Sequence, residues 1–533
     1  MSEYLNGEAT LPEGSSNSAV TRDAVETRAR RWTWQPYAIV FVSSACIMIL
    51  ELVAGRIVAP YVGVSLYTWT TIIGVVLAGI SLGNYAGGRL ADRWPSPRLL
   101  GLLFLLAGLT SFIVLTVNTL GVRLPTDYVI VQILVLVTAL FFVPSAILGG
   151  ISPVVAKLAV YDLATTGATV GKISAAGTLG SIVGTFATGF VLISRFGTHA
   201  IVWGVGLTLI AMGVLFLVPR QRAALVMATV IVVGGLGLAS QMGWTRGTCS
   251  LETNYFCIKV REEERDGETV RVLVLDRLVH SFTSMDDPTK LVYGYERMYA
   301  EATAYRAADK PNLRALFIGG GGYTFPKYMD ATYPDSELEV IEIDPGVTRV
   351  AYDLLGVPAD SGIVTRNEDA RMVLREPPEQ PFDLIMGDAF NDYSVPYHLT
   401  TREFNDLVAR WLAPGGMYMV NIIDGPRGDF VRAFVATLQQ TFPYVYAAPT
   451  IDAWRSSPRS TFVLIGTDQP LDIDRLAGID AGDGQALLAR QLLDADELAA
   501  LLAEGPAITL TDQFAPVDQM LAPTFRNEVP APN

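Results

Sequence analysis

Hydrophobic and polar positions fall into two regimes along this chain. From Pro36 to Ser240 nearly every position is apolar, Gly, Ser or Thr, whereas from Gln241 onward polar and apolar positions mix as in an acidic globular protein. A membrane-crossing helix needs about 20 apolar residues. The first regime predicts seven such spans, near 36–58, 67–89, 98–120, 128–148, 173–194, 199–218 and 222–240. Pro144, Gly149, Gly150 and Pro153 interrupt the fourth, after which the apolar pattern continues to Val160. Gly180 and Gly184, four residues apart, predict a close helix–helix approach.

The second regime opens with β-type patterning in "NYFCIKVREEE" and "TVRVLVLDRLVH", which predicts a small antiparallel sheet. A helical stretch, "LVYGYERMYAEATAY", follows. Alternation then sets in: strand "RALFIG", a glycine turn, a helix from about Pro326, strand "ELEVIEID", helix "PGVTRVAYDLL", a strand near "GIVTRN" with a short helix after it, strand "FDLIMGD", helix "TREFNDLVARWL" and strand "MYMVNII". Strands alternating with helices predict a mainly parallel, doubly wound sheet, with any nucleotide at the carboxyl ends of its strands.

Charge adds topology. The chain carries 39 Lys and Arg against 53 Asp and Glu, a net −14, and no basic stripe of the kind that nucleic acid requires. The polar segment before Pro36 lacks the apolar core and cleavage site of a secretory signal and predicts a disordered tail. Arg22, Arg28, Arg30, Arg31, Arg89, Arg93, Arg98, Lys157, Lys172, Arg220 and Arg222 fall on the amino-terminal side of the spans, against Arg123 and Arg195 opposite. The positive-inside rule puts that amino-terminal side in the cytoplasm. Seven spans then carry the second half outward, where pairing of Cys249 with Cys257 would suit an oxidising exterior; a miscount at the fourth span would reverse this, and unpaired buried thiols are the alternative for the cysteines. Within the first span Glu51 and Arg56 are costly charges. They read either as a substrate or proton contact facing the bundle interior, or as a structural pair or an arginine reaching the interface.

Four features meet at the predicted strand edge. Gly319, Gly320, Gly321 and Gly322 let the backbone approach a ligand. Glu342 and Asp344, about 20 residues on, stand where an acid bonds ribose hydroxyls. Asp369 follows the third strand and Asp388 ends the fourth. The glycine turn holds no Lys or Arg, so a phosphate-rich nucleotide suits it poorly. A cationic S-adenosyl sulfonium suits the acids well, and nothing in the chemistry calls for a metal.

On these motifs residues 249–467 resemble the spermidine synthase (polyamine aminopropyltransferase) family, and the whole chain resembles bacterial membrane proteins that fuse such a domain behind a helical bundle. The matching stretches are "VLVLDRLVH", "YGYERMYAEA", "FIGGGG", "VIEID", "NEDAR" and "DLIMGDAFNDYSVPYHLTTREF". The resemblance implies transfer of an aminopropyl group from decarboxylated S-adenosylmethionine, or a related group from S-adenosylmethionine, to an amine or polyamine. It implies that Glu342 holds the ribose, that Asp369 with Ala370 holds the adenine, and that Asp388 serves the attacking amine. Tyr295 and Glu296 would flank the acceptor, with His280, Asp392 and Asp512 near it. The chain departs from the family at Gly322, where an Asp is usual, at Asn391, where the second acid of an Asp-x-x-Asp pattern is displaced to Asp392, at His280 for a Gln and at Arg277 for a Gly. These departures put the acceptor and the transferred group in question.

The resulting expectation is a disordered tail (1–35), an all-α transmembrane bundle of about seven helices (36–240), a small β-subdomain and helix (241–310), a Rossmann-like, methyltransferase-type α/β doubly wound domain (311–470) and an acidic extension (471–533). The protein is expected as a multi-pass component of the bacterial plasma membrane, with lipid and a small amine as partners, no nucleic acid, and room for a homodimer. Two other function classes stand beside aminopropyl transfer: a methyltransferase or amino-carboxypropyl transferase, and a transporter or sensor regulated by an adenosyl domain.

Overall fold

The computed structural model of the chain describes residues 35–116, 129–160, 163–265, 267–389, 395–479, 486–506 and 508–524. The amino-terminal tail, Arg123, Asn391 and Asp392 lie outside the described residues. Among the described residues seven helices are long and apolar enough to cross a membrane: α1 (Gln35–Val62), α2 (Leu66–Arg93), α3 (Pro97–Thr116), α4 (Ile130–Ala159), α5 (Thr166–Arg195), α6 (Thr198–Leu217) and α7 (Gln221–Gln241). The interruptions in the fourth span do not end it. Pro144 offers no N–H to the carbonyl one turn back, and a π-type turn at Thr138–Phe142 just before it absorbs the mismatch.

Small residues bring these helices together. A Cβ on Gly180 of α5 would lie 2.2 Å from the Phe41 carbonyl oxygen of α1, and one on Gly184 would lie 2.6 Å from that of Ala45. The same holds between α2 and α4, where a Cβ on Gly83 would lie 2.0 Å from the Ala146 carbonyl oxygen. At one end of the bundle Lys157 and Asp92 form a 2.8 Å ion pair. The other end meets the second half of the chain, where Arg56 donates to the backbone carbonyls of Thr253 and Tyr255. Arg56 therefore neither pairs with Glu51 nor faces the bundle interior. Its guanidinium reaches instead to the loop that precedes β2.

The second half begins with a four-stranded antiparallel sheet in sequence order, β1 (Leu251–Glu252), β2 (Cys257–Arg265), β3 (Glu268–Leu275) and β4 (Leu278–Ser284). Cys249 and Cys257 are disulfide-bonded, their Cα atoms 5.3 Å apart, while Cys46 is free and buried in α1. Helix α8 (Gly294–Ala307) leads into a seven-stranded sheet of order β10-β11-β9-β8-β5-β6-β7. Its strands are β5 (Arg314–Ile318), β6 (Glu337–Ile341), β7 (Ile363–Arg366), β8 (Phe382–Gly387), β9 (Leu412–Asp424), β10 (Tyr444–Pro449) and β11 (Ser460–Thr467).

Strands β5 to β9 pair in parallel, as the alternating pattern predicts. Strands β10 and β11 add an antiparallel edge outside the predicted elements. The central strands are buried on both faces, hence their continuous apolar runs; Leu316, Ile318, Ile341 and Ile385 share one core while Ala315, Phe317, Val340, Leu384 and Met386 share the other. The order reverses between β5 and β8. At such a switch the carboxyl ends of the strands open a crevice.

Candidate active site

The crevice is built first by the glycine turn. Gly319 has φ +94°, and a Cβ there would lie 2.5 Å from the Asp388 carbonyl oxygen, so only glycine lets β5 and β8 end side by side. Tyr323, also left-handed at φ +54°, stops the turn and starts α9 (Thr324–Thr332), two residues ahead of the predicted Pro326. The resulting cleft of about 410 Å3, partly open to solvent, is lined by Gly319 to Gly322, His280, Ser281, Tyr295, Glu296, Phe325 and Asp388 among others.

Asp388 sits at the end of β8 with both oxygens engaged. Tyr295 donates its phenol hydrogen to Oδ2 at 2.9 Å, and Asn421 of β9 donates from Nδ2 to Oδ1 at 2.8 Å. Burial pushes the carboxyl above its ordinary range, and these two hydrogen bonds pull it back. Burial and the adjacent Asp388 charge also hold the Tyr295 phenol well above 10, so it remains a donor. Tyr293, Tyr295, Tyr299 and Phe325 form a ring-on-ring wall with centroids 5.5–5.6 Å apart. An aromatic wall ending in a carboxylate is a surface for a cationic amine.

Glu296 lies beside this wall, 2% exposed. Burial, opposed by the Tyr293 N–H, carries its pKa to about 8, so it is mostly protonated near neutral pH. His280 is held down to about 4 by burial and is therefore neutral. Its Nε2 and the Ser281 hydroxyl are both buried and, among the described residues, without a hydrogen-bond partner. Both belong to the cleft lining.

The second strand edge carries the other acids. Glu342 accepts the Gly320 N–H at 2.8 Å on one oxygen and the Asp344 N–H at 2.9 Å on the other, which ties the glycine turn to β6. Its remaining lone pairs can accept hydroxyls. Asp344 caps α10 (Pro345–Leu354), taking the Gly346 N–H at 2.8 Å and the Thr253 hydroxyl at 2.5 Å. Asp369 likewise caps the short helix at Ala370–Val373 through Met372 and lies 3.4 Å from His398 Nε2.

Asp512 is not in the cleft lining. It pairs with Arg371 at 2.5 Å and accepts the Thr401 hydroxyl at 2.8 Å, so the carboxyl-terminal segment clasps the Asp369 loop. Asn421, Ser281 and Arg371 were not singled out by sequence reasoning. For Asn421 the signal was present, since it is the one amide in the otherwise apolar run "MYMVNII".

Gly322 has a further consequence. A Cβ there would lie 1.9 Å from Ser281 Oγ, so the place of an acidic side chain at this position is filled by a neutral hydroxyl from β4.

No protein-family model matches the chain. A probable polyamine aminopropyl transferase of Bifidobacterium longum is 31% identical over 137 residues, covering 25% of this chain and only 30% of its own length. A polyamine aminopropyltransferase of Corynebacterium efficiens is 25% identical over 457 residues, covering 80% of this chain and 85% of its own. Residues 241–533 make up little more than half of the chain, so the second alignment extends into the helical half. The crystal structure of a probable spermidine synthase from Corynebacterium glutamicum, 23% identical, overlays 48% of this chain and 93% of its own with a TM-score of 0.41. In sequence, then, the chain is similar to polyamine aminopropyltransferases, at 31% identity over a quarter of its length and at 25% over about three quarters or more.

Proposed function

We propose that this chain is a membrane-anchored transferase that moves an aminopropyl or closely related alkyl group from an S-adenosyl donor to an amine. One observation carries the reading: Asp388, hydrogen-bonded by Asn421 and Tyr295, faces the glycine turn across a cleft walled by tyrosines. Glu342 and Asp369 would take the donor's ribose and adenine, as the family resemblance implies. The acceptor ammonium gives a proton to Asp388. Its freed lone pair attacks the carbon next to the sulfonium, the C–S bond breaks, and its electrons return to sulfur as a neutral thioether nucleoside. Positioning supplies most of the rate, and Asp388 adds a base held close to the proton it removes. Asp388→Asn tests this. Turnover is expected to fall about 10²- to 10⁴-fold with methylthioadenosine affinity retained; unchanged turnover would remove Asp388 from the chemistry.

The Gly322–Ser281 contact favours a second reading at the same site. With no acid beside the donor's chain, a donor that keeps its carboxylate is not repelled, and amino-carboxypropyl or methyl transfer stays open. The seven apolar helices support membrane anchoring, and the Cys249–Cys257 bond supports an extracytoplasmic catalytic half.

A further inference from the structure

Residues 252–256 join three parts of the molecule that lie far apart in sequence. Glu252 accepts the N–H of Thr198 at 2.9 Å, at the start of α6. The guanidinium of Arg56, from α1, donates one nitrogen to the Tyr255 carbonyl and another to that of Thr253, a two-pronged contact suited to the planar fork of arginine. Thr253 Oγ1 accepts the N–H groups of Tyr255 at 3.1 Å and Phe256 at 2.9 Å and donates to Asp344. The backbone N–H of Asp344 in turn donates to the Glu342 carboxylate, which also accepts the N–H of Gly320 in the glycine turn. An unbroken hydrogen-bonded path thus runs from the first helix to the candidate nucleoside site.

Tyr255, 42% exposed, is the exposed aromatic residue of this strap. Its phenol is raised first by partial burial and then by the charges of Asp344, Asp369 and Glu342, the three acids of that edge. The charge of Arg56, conversely, favours ionised Asp344 and Asp276, both of which burial pushes upward. An exposed aromatic residue tied through Thr253 to the Asp344 carboxylate of this strand edge offers a stacking surface for a nucleoside.

We propose that Arg56 is a positioning residue for the donor nucleoside and that Tyr255, on the loop it holds, forms the outer wall of that site. The helical half then shapes the donor site directly and does more than tether it. This rests on the adenosyl reading above.

The test uses the full-length protein in detergent with methylthioadenosine as the calorimetric probe. Arg56→Gln, Thr253→Val and Tyr255→Ala are each expected to raise its Kd about tenfold, the scale of one lost hydrogen-bonded or stacking contact. Arg56→Gln combined with Thr253→Val is expected to cost no more than the worse single change, because both break one path. Tyr255→Phe, which keeps the ring, is expected to bind as the wild type does, and the KM for the amine is expected to stay unchanged in all variants. Unchanged Kd in Arg56→Gln, with only a lower melting temperature, would reduce Arg56 to a strut between the halves and overturn the proposal. If that variant fails to fold, Thr253→Val decides alone, since it cuts the link to Asp344 together with the local bonds to Tyr255 and Phe256 and leaves the bundle untouched; wild-type affinity there is equally fatal. A wild-type protein that binds no methylthioadenosine removes the adenosyl reading and this inference together.

Discussion

Asp388 and Glu296 lie in one cleft and burial pushes both carboxyls upward, Glu296 to about 8, but their hydrogen-bond partners differ. Asp388 receives two side-chain donors that favour its charged form, whereas Glu296 has two backbone N–H groups opposing deeper burial and a nearby carboxylate. The folded-state pKa of Glu296, about 8, exceeds the ordinary glutamate value of about 4.5, so the native state binds the extra proton. Its contribution to stability is complete below about pH 4.5 and is lost as pH rises through about 8. Chemical denaturation between pH 5 and 9 is expected to show stability falling by on the order of a few kcal/mol, with a flatter profile in Glu296→Gln; identical slopes would contradict the buried neutral acid. The acids at strand ends were legible from their spacing after apolar runs. Partners such as Asn421 and Ser281 were not, because their part is fixed by which strand lies next to which, and strand order is not written in local pattern.

At the scale of elements, the long apolar helices were legible because runs of about 20 apolar residues admit few other readings, and strands β5 to β9 because buried parallel strands are apolar throughout. The antiparallel pair β10 and β11 was missed, since nothing nearby distinguishes an edge addition from loop. Pro144 is a break in the pattern but not in the helix, because a π-type turn accommodates it. The glycines sort by what faces them. A Cβ on Gly83 would strike the Ala146 backbone at 2.0 Å, whereas one on Gly74 of the same helix meets nothing within 4 Å. Gly83→Ala is therefore expected to destabilise the bundle by about 1–3 kcal/mol or more, while Gly74→Ala is expected to be neutral or stabilising by up to ~1 kcal/mol. Melting of both variants in detergent checks the contrast, and equal melting temperatures would show that α2 and α4 do not pack this closely.

For the whole molecule, seven helices that each crossed a membrane would put the amino terminus and the catalytic half on opposite sides. The excess of Arg and Lys at the amino-terminal side and the Cys249–Cys257 bond both favour an exterior catalytic half. A single cysteine introduced by Glu379→Cys, at an exposed loop position, in a background with Cys46→Ala, is expected to react with a membrane-impermeant maleimide on intact cells. Reaction only after the membrane is opened would place the domain in the cytoplasm. The more central matter is what this molecule transfers, and the spent nucleoside records it. Purified full-length protein, given decarboxylated S-adenosylmethionine and, separately, S-adenosylmethionine, each with a panel of diamines, can be followed by mass spectrometry of both nucleoside and amine. The expected result is methylthioadenosine formed in step with an amine extended by the donor's alkyl chain; S-adenosylhomocysteine as the sole spent nucleoside, paired with a methylated acceptor, would contradict it.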